Sequence, residues 1–191
     1  MLNMIQDVDF MILDWIQSHL TCGLLDRVMP AVSFLGNAGW IWITIAVLLL
    51  LWKQHRRCGM KLAVGLIICL VVCNFLLKNG VARPRPCWIN QSVELLIKTP
   101  KDYSFPSGHT MTGITSAVIL MCYNRRFGIP ALILACLIAF SRLYLYVHFP
   151  TDILGGLLLG ILAAFLTEKL ASRFFPPGKS VFTHSDHAQR E

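Results

Sequence analysis

Long apolar stretches constrain this chain more than any other feature. Residues 40–52, 62–77, 110–123, 129–146 and 153–166 are built mainly from Leu, Ile, Val, Ala, Met, Phe, Gly and Cys, with short polar gaps between them. A helix crossing a bilayer needs about 20 mostly apolar residues. Lipid offers no partner to an unpaired amide, which favours helices for such runs. The expected fold class is therefore all-α, a polytopic membrane helix bundle of about five to six transmembrane helices behind an N-terminal interfacial helix. Composition agrees, because 55% hydrophobic and 14% charged residues are too apolar a mix for an ordinary soluble domain.

The ends read differently from the middle. Residues 4–20 mix Ile5, Val8, Ile12, Leu13 and Ile16 with Asp7, Asp9, Asp14 and Gln17, an amphipathic pattern too acidic to span. Residues 24–35 contain Pro30 and stop at Gly36-Asn37-Ala38-Gly39, so an interfacial or re-entrant piece is expected. A full span there would need Asp26 and Arg27 buried or near an interface. The chain thus divides into interfacial or re-entrant helices at 1–37, a transmembrane bundle at 38–173 and a polar tail at 174–191, expected to be disordered. The acidic start does not resemble a basic leader, and no cleavable signal is expected.

A formal charge of +7 raises nucleic acid as a partner. The basic residues occupy gaps between apolar runs and form no face interleaved with aromatics, so the bilayer is the expected partner and nucleic acid is not. Lys53, Arg56, Arg57, Lys61, Arg125, Arg126, Lys169 and Arg173 fall on one side of the bundle, the cytoplasmic side by the positive-inside rule. The loop 78–106 then faces outward, with basic residues of its own that chemistry would have to explain. The seven cysteines lack disulfide or zinc-finger spacing. Cys69, Cys73, Cys122 and Cys136 read as small core residues.

Three polar groups collect on that outward side: Lys78 with Arg85-Pro86, then Pro106-Ser107-Gly108-His109, then Ser141-Arg142 with His148 and Asp152. Ser107 can cap the helix that follows and Gly108 lets a ligand approach the backbone, so that helix start can receive an anion. Lys78, Arg85 and Arg142 would supply positive charge to its oxygens. Asp152 falls in the first turn after Pro150, where it can hold one nitrogen of His148 and leave the other free to attack. His109 remains to protonate a leaving oxygen. Taken singly, an interfacial His or Arg is more often a snorkelling or capping residue. Arg142 resists that account because it interrupts an apolar run.

At these positions the chain resembles the type 2 phosphatidic acid phosphatase superfamily, whose signature is Lys-x6-Arg-Pro, Pro-Ser-Gly-His and Ser-Arg-x5-His-x3-Asp. Lys78 to Pro86, Pro106 to His109 and Ser141 to Asp152 fit it without departure. The resemblance implies a membrane phosphatase working through a phosphohistidine, with no metal and no cofactor. His148 would be the nucleophile, Asp152 its orienter and His109 the general acid, with Lys78, Arg85, Ser107, Gly108 and Arg142 binding phosphate. Arg83 lies outside the signature and could add a contact. No cluster of carboxylates, His or Cys suggests a metal site. A lipid phosphate is the expected substrate, with undecaprenyl diphosphate ranked first and phosphatidylglycerophosphate or phosphatidic acid behind it. A lipid phosphotransferase and a transporter with a polar relay are the rival readings. The localisation implied is a bacterial inner membrane with the active face extracytoplasmic, and oligomeric state stays open.

Overall fold

The computed structural model describes residues 2–174, which form helices and connecting loops without a β-strand among them. Helix α1 covers Leu2–His19, α2 Gly23–Leu35, α3 Trp40–Leu51 and α4 Arg56–Cys69. Two short turns follow, α5 at Lys78–Val81 and α6 at Pro86–Ile89. The core helices are α7 at Gly108–Tyr123, α8 at Arg125–Tyr144 and α9 at Pro150–Phe174.

The helix α7 lies at the centre, packed along α8, α9 and α4, with Met111, Ile114, Ala117, Ile119 and Leu120 all buried. Glycine makes the closest of these contacts possible. A Cβ on Gly156 would stand 2.8 Å from the Ser107 carbonyl, and one on Gly160 would stand 2.9 Å from that of Met111. Two small residues one turn apart let α9 lie against the start of α7. That contact brings Asp152 beside Ser107, whose amide donates to the Asp152 carbonyl at 3.2 Å.

Among the described residues, three stretches are long and apolar enough to cross a bilayer: Arg56–Ile89, Arg125–Tyr144 and Pro150–Arg173. A fourth is possible if α2 and α3, bent by 44°, act as one broken span. The expected stand-alone span at 40–52 is therefore corrected. The 12 residues of α3 reach only about 18 Å, short of a bilayer core of about 30 Å. Left-handed φ values at Ala38 (50°) and Gly39 (71°) make the bend, and glycine takes that conformation without a Cβ penalty. The 16 residues of α7 are likewise short, about 24 Å. Helix α8 stops at Tyr144 and not at 146, and Tyr146 takes a left-handed φ of 57° just beyond it.

After α4, residues Leu70–Leu77 continue as a π-helix, whose wider turns are found frequently at functional positions. This spacing leaves Cys69, Cys73, Asn74 and Lys78 lining the same cavity. Cys69 and Cys73 are buried as expected, but Cys122 and Cys136 sit on the outer faces of α7 and α8. An apolar run does not reveal which face of its helix packs inward. On α1, Asp9, Leu13 and Ile16 are buried, while Met4, Val8, Met11, Ile12 and Trp15 are exposed. Acid inside and apolar side chains outside suit a helix lying on lipid. Of the tail expected at 174–191, all but its first residue lies outside the described residues.

Candidate active site

A cavity of about 1030 Å³ opens where α2, α3, the π-helix, α7 and α8 meet. Lys78, Arg85, Gly108, His109, Arg142 and His148 all line it. Ser107 and Asp152 stand behind its wall, each fully buried. The structure thus gathers into one place residues as far apart in sequence as Lys78 and Asp152.

His148 sits in the loop between α8 and α9, 1% exposed. Its Nδ1 is 3.5 Å from Asp152 Oδ2, a long contact for an orienting bond. Asp152 Oδ2 also accepts from the Phe149 amide at 2.8 Å and from the Ser104 hydroxyl. The bond to Phe149 reaches back from the first turn of α9, as the acid of a capping box does. The other ring nitrogen, Nε2, faces the cations and lies 3.1 Å from Arg85 Nη1. Burial, followed by the charges of Arg85, Arg142 and Lys78, pushes the His148 imidazole well below its usual 6.5. The ring is held neutral, with the Nε2 lone pair accepting from Arg85 Nη1.

The cations are held by protein groups. Arg85, 2% exposed, donates to the carbonyls of Val147 and Asp102 at 2.7 Å each and to Asp102 Oδ1 at 2.8 Å. Lys78 pairs with the same carboxylate. Burial opposes ionisation of Asp102, yet the Lys78 hydrogen bond and the charge of Arg85 outweigh it and hold the carboxyl at about 2. Arg142 donates from Nη1 to Ser33 Oγ at 2.5 Å, and its buried Nε has no partner among the described residues. An unpaired guanidinium N–H buried in the cavity wall is costly unless a ligand fills the gap.

At the start of α7, Ser107 acts as N-cap, its Oγ accepting from the amide and hydroxyl of Thr110 at 3.4 and 3.0 Å. With the Ser107 amide tied to Asp152, the amides left for an anion are those of Gly108 and His109. A Cβ on Gly108 would meet only Cys73 Sγ, at an ordinary 3.4 Å. Packing alone therefore does not require glycine there. His109 Nε2 donates to Asn37 Oδ1 at 3.1 Å, and Gly36 packs so tightly on the ring that a Cβ there would lie 2.6 Å from His109 Cδ2. Among the described residues, no three His, Cys, Asp or Glu side chains group as a metal site.

Sequence reasoning missed Asp102, Ser104, Ser33 and Asn37. Ser33 and Asn37 lie on α2 and in the turn after it, a region read as a helix breaker. Asn37 in a Gly-Asn-Ala-Gly turn was the one visible signal, since asparagine tolerates tight turns and also offers a carbonyl to a neighbour.

The chain matches the PAP2 superfamily over residues 58–175. It is 35% identical to the undecaprenyl-diphosphatase of Sulfolobus acidocaldarius over 149 residues, covering 78% of this chain and 71% of that one. It is 31% identical to the Bacillus subtilis undecaprenyl-diphosphatase BcrC over 153 residues, covering 80% and 78%. Among solved structures, the PAP2 type phosphatidylglycerolphosphate phosphatase from Bacillus subtilis superposes with a TM-score of 0.72 at 27% identity, covering 90% of this chain and 88% of that one.

Proposed function

The chain belongs to the PAP2 superfamily, and from that premise we propose that it removes a phosphate group from a membrane lipid through a phosphohistidine on His148. As a member of this family it is a hydrolase, which sets aside the reading as a transporter with a polar relay. The observation that carries the proposal is the shape of the cavity. At one end stand two imidazoles and three cations; along its walls run Ile43, Ala46, Val47 and Leu50 of α3 and Ala63, Leu66 and Ile67 of α4. From Gly39 to Leu50 the wall follows α3 for roughly 16 Å, a groove able to take an apolar chain while the headgroup meets the cations.

In this reading Lys78, Arg85 and Arg142 grip the phosphate oxygens, with the Gly108 and His109 amides and the dipole of α7 behind them. A phosphate would compete with the Asp102 carboxylate for Lys78 and Arg85 and would satisfy Arg142 Nε. Nε2 of His148 attacks phosphorus, the bond to the leaving oxygen breaks, and His109 gives that oxygen its proton. To act as the acid, the His109 ring must be protonated at both nitrogens, with Nε2 donating to Asn37 Oδ1. Water, deprotonated by His109, then attacks the phosphohistidine and frees phosphate. All the charge needed is supplied by side chains, so hydrolysis is expected to persist in EDTA and to be blocked by vanadate, as a phosphate-release assay would read. Loss of activity on chelation would place a metal in the reaction.

The state of His148 fixes a pH dependence. Its imidazole must be neutral to attack, and its environment holds its pKa below 6.5. Activity is therefore kept as pH falls through 6.5, and the acid limb of kcat/KM lies below that value. An acid limb above pH 6.5 would mean that another group carries it.

Undecaprenyl diphosphate is the favoured substrate, because a single groove suits a single long chain and relatives bear that activity in their names. A phosphatidylglycerophosphate or phosphatidate is the second reading, supported by the likeness to the Bacillus subtilis structure. The deciding experiment is a panel of purified prenyl diphosphates and glycerolipid phosphates in detergent, with and without an alcohol acceptor. Free phosphate released without an acceptor identifies a hydrolase, whereas turnover that needs the alcohol and leaves the phosphoryl group on it would identify a phosphotransferase. We place five crossings in the bundle, the α2–α3 pair, the long helix from Arg56, α7, α8 and α9, with the cavity on the outward side opposite Arg125 and Arg126.

A further inference from the structure

The N-terminal helix α1 lies outside the residues that match the family, yet it reaches the catalytic loop through a charged chain. Arg83 Nη1 donates to Asp152 Oδ1 at 2.7 Å, and its Nη2 donates to Asp9 Oδ2 at 2.7 Å. Asp9 also accepts from the Thr151 hydroxyl at 2.5 Å and the Thr151 amide at 3.1 Å, within the first turn of α9. Thr151 accepts in turn from Arg83 Nη1 at 2.7 Å. The Arg83 guanidinium lies 4.1 Å above the Phe149 ring, on the residue next to His148. Both carboxylates are buried, with side chains 2% and 0% exposed.

We propose that Asp9 and Arg83 are positioning residues for the reaction, holding the carboxylate of Asp152 in place beside His148. The inference rests on the reading of His148 as the nucleophile. Two features go beyond what a simple structural tie requires. First, Asp152 meets His148 only through Oδ2, and Arg83 takes the opposite oxygen, so the carboxylate cannot rotate without breaking an ion pair. Second, the count of charges matters. Arg83 alone would cancel the charge of Asp152, which is the charge that favours the cationic ring of a phosphohistidine. With Asp9 on its other face, the trio carries one net negative charge, and the fixed geometry costs His148 none of its support. Helix α1 would thus set the rate of a step performed elsewhere.

The test uses full-length protein in detergent with farnesyl diphosphate as the probe, comparing Asp9→Asn, Arg83→Lys, the double variant and His148→Ala. Asp9→Asn keeps the shape of the side chain and removes its charge. Arg83→Lys keeps the charge and loses the planar fork that spans two carboxylates. Each single variant is expected to lower kcat by about 10- to 10²-fold with KM within about twofold, the signature of a misplaced group and not of lost binding. The double variant is expected to be no worse than the poorer single one, because both act through Asp152. Wild-type kcat in both single variants would overturn the inference. So would losses that multiply in the double variant, or a KM that rises in step with the fall in kcat. Turnover in His148→Ala would instead remove the nucleophile on which the inference stands, and the two failures are told apart by that arm.

Discussion

Replacing His148 with alanine is expected to stop phosphate release, lowering kcat on the order of 10⁴- to 10⁶-fold, as loss of a nucleophile does in enzymes that form a covalent intermediate. The protein should remain folded. His148 contacts Asp152, Ser104 and Arg85, but each of these keeps other partners: Arg85 the carbonyls of Val147 and Asp102, Asp152 the Phe149 amide and Arg83. The stability lost should be about 1–3 kcal/mol, within the range of one buried polar contact. Phosphate release by the purified variant, read beside its thermal unfolding in detergent, checks both halves. Turnover within tenfold of wild type (roughly 1.4 kcal/mol in the barrier) would end the proposed role.

His109→Ala should give the next largest effect, and a selective one. A general acid is worth about 10²–10⁴ in rate, but only when the leaving oxygen needs a proton. Phosphatidate leaves as an alkoxide and should lose nearly all of that factor. p-Nitrophenyl phosphate leaves as a stable phenolate and should be hydrolysed by the variant at close to the wild-type rate. A prenyl diphosphate, whose leaving group is itself a phosphate, should fall between them. Equal loss on all three substrates would make His109 a binding or packing residue. That outcome has a structural basis to fall back on, because the ring is pressed against Gly36 and bonded to Asn37.

How much of this could be read from sequence varies by residue. Lys78, Arg85, Ser107, Gly108, His109, Arg142, His148 and Asp152 all stood out, because polar residues at the ends of apolar runs are conspicuous and their spacing repeats a known signature. Their partners did not stand out. Asp102 and Ser104 sit in a loop where acids and hydroxyls are ordinary. Ser33 lies in a segment read as a breaker. Asp9 looked like one of three acids on an amphipathic helix, and nothing in its spacing separates it from Asp7 or Asp14. Of the three, only Asp9 is buried, alongside Leu13 and Ile16.

The crossings show the same division. Hydropathy located the apolar runs, because transfer from water to lipid is close to a sum over residues and needs no knowledge of neighbours. It could not say that residues 40–52 would bend against α2 and fall short of a crossing alone. That depends on the two left-handed residues at the join and on a tight seat against His109.

Sequence by itself determined a helical membrane protein, the positions of its long apolar segments and the polar groups at their ends that the fold gathers around one cavity. These follow from composition and local spacing. Tertiary structure alone decided which carboxylate faces which cation, that among the described residues Arg142 Nε has no partner in the cavity wall, and that the first helix touches the loop carrying His148. Such contacts join residues up to 142 positions apart, and their energy depends on distances of a few ångströms that no local pattern encodes.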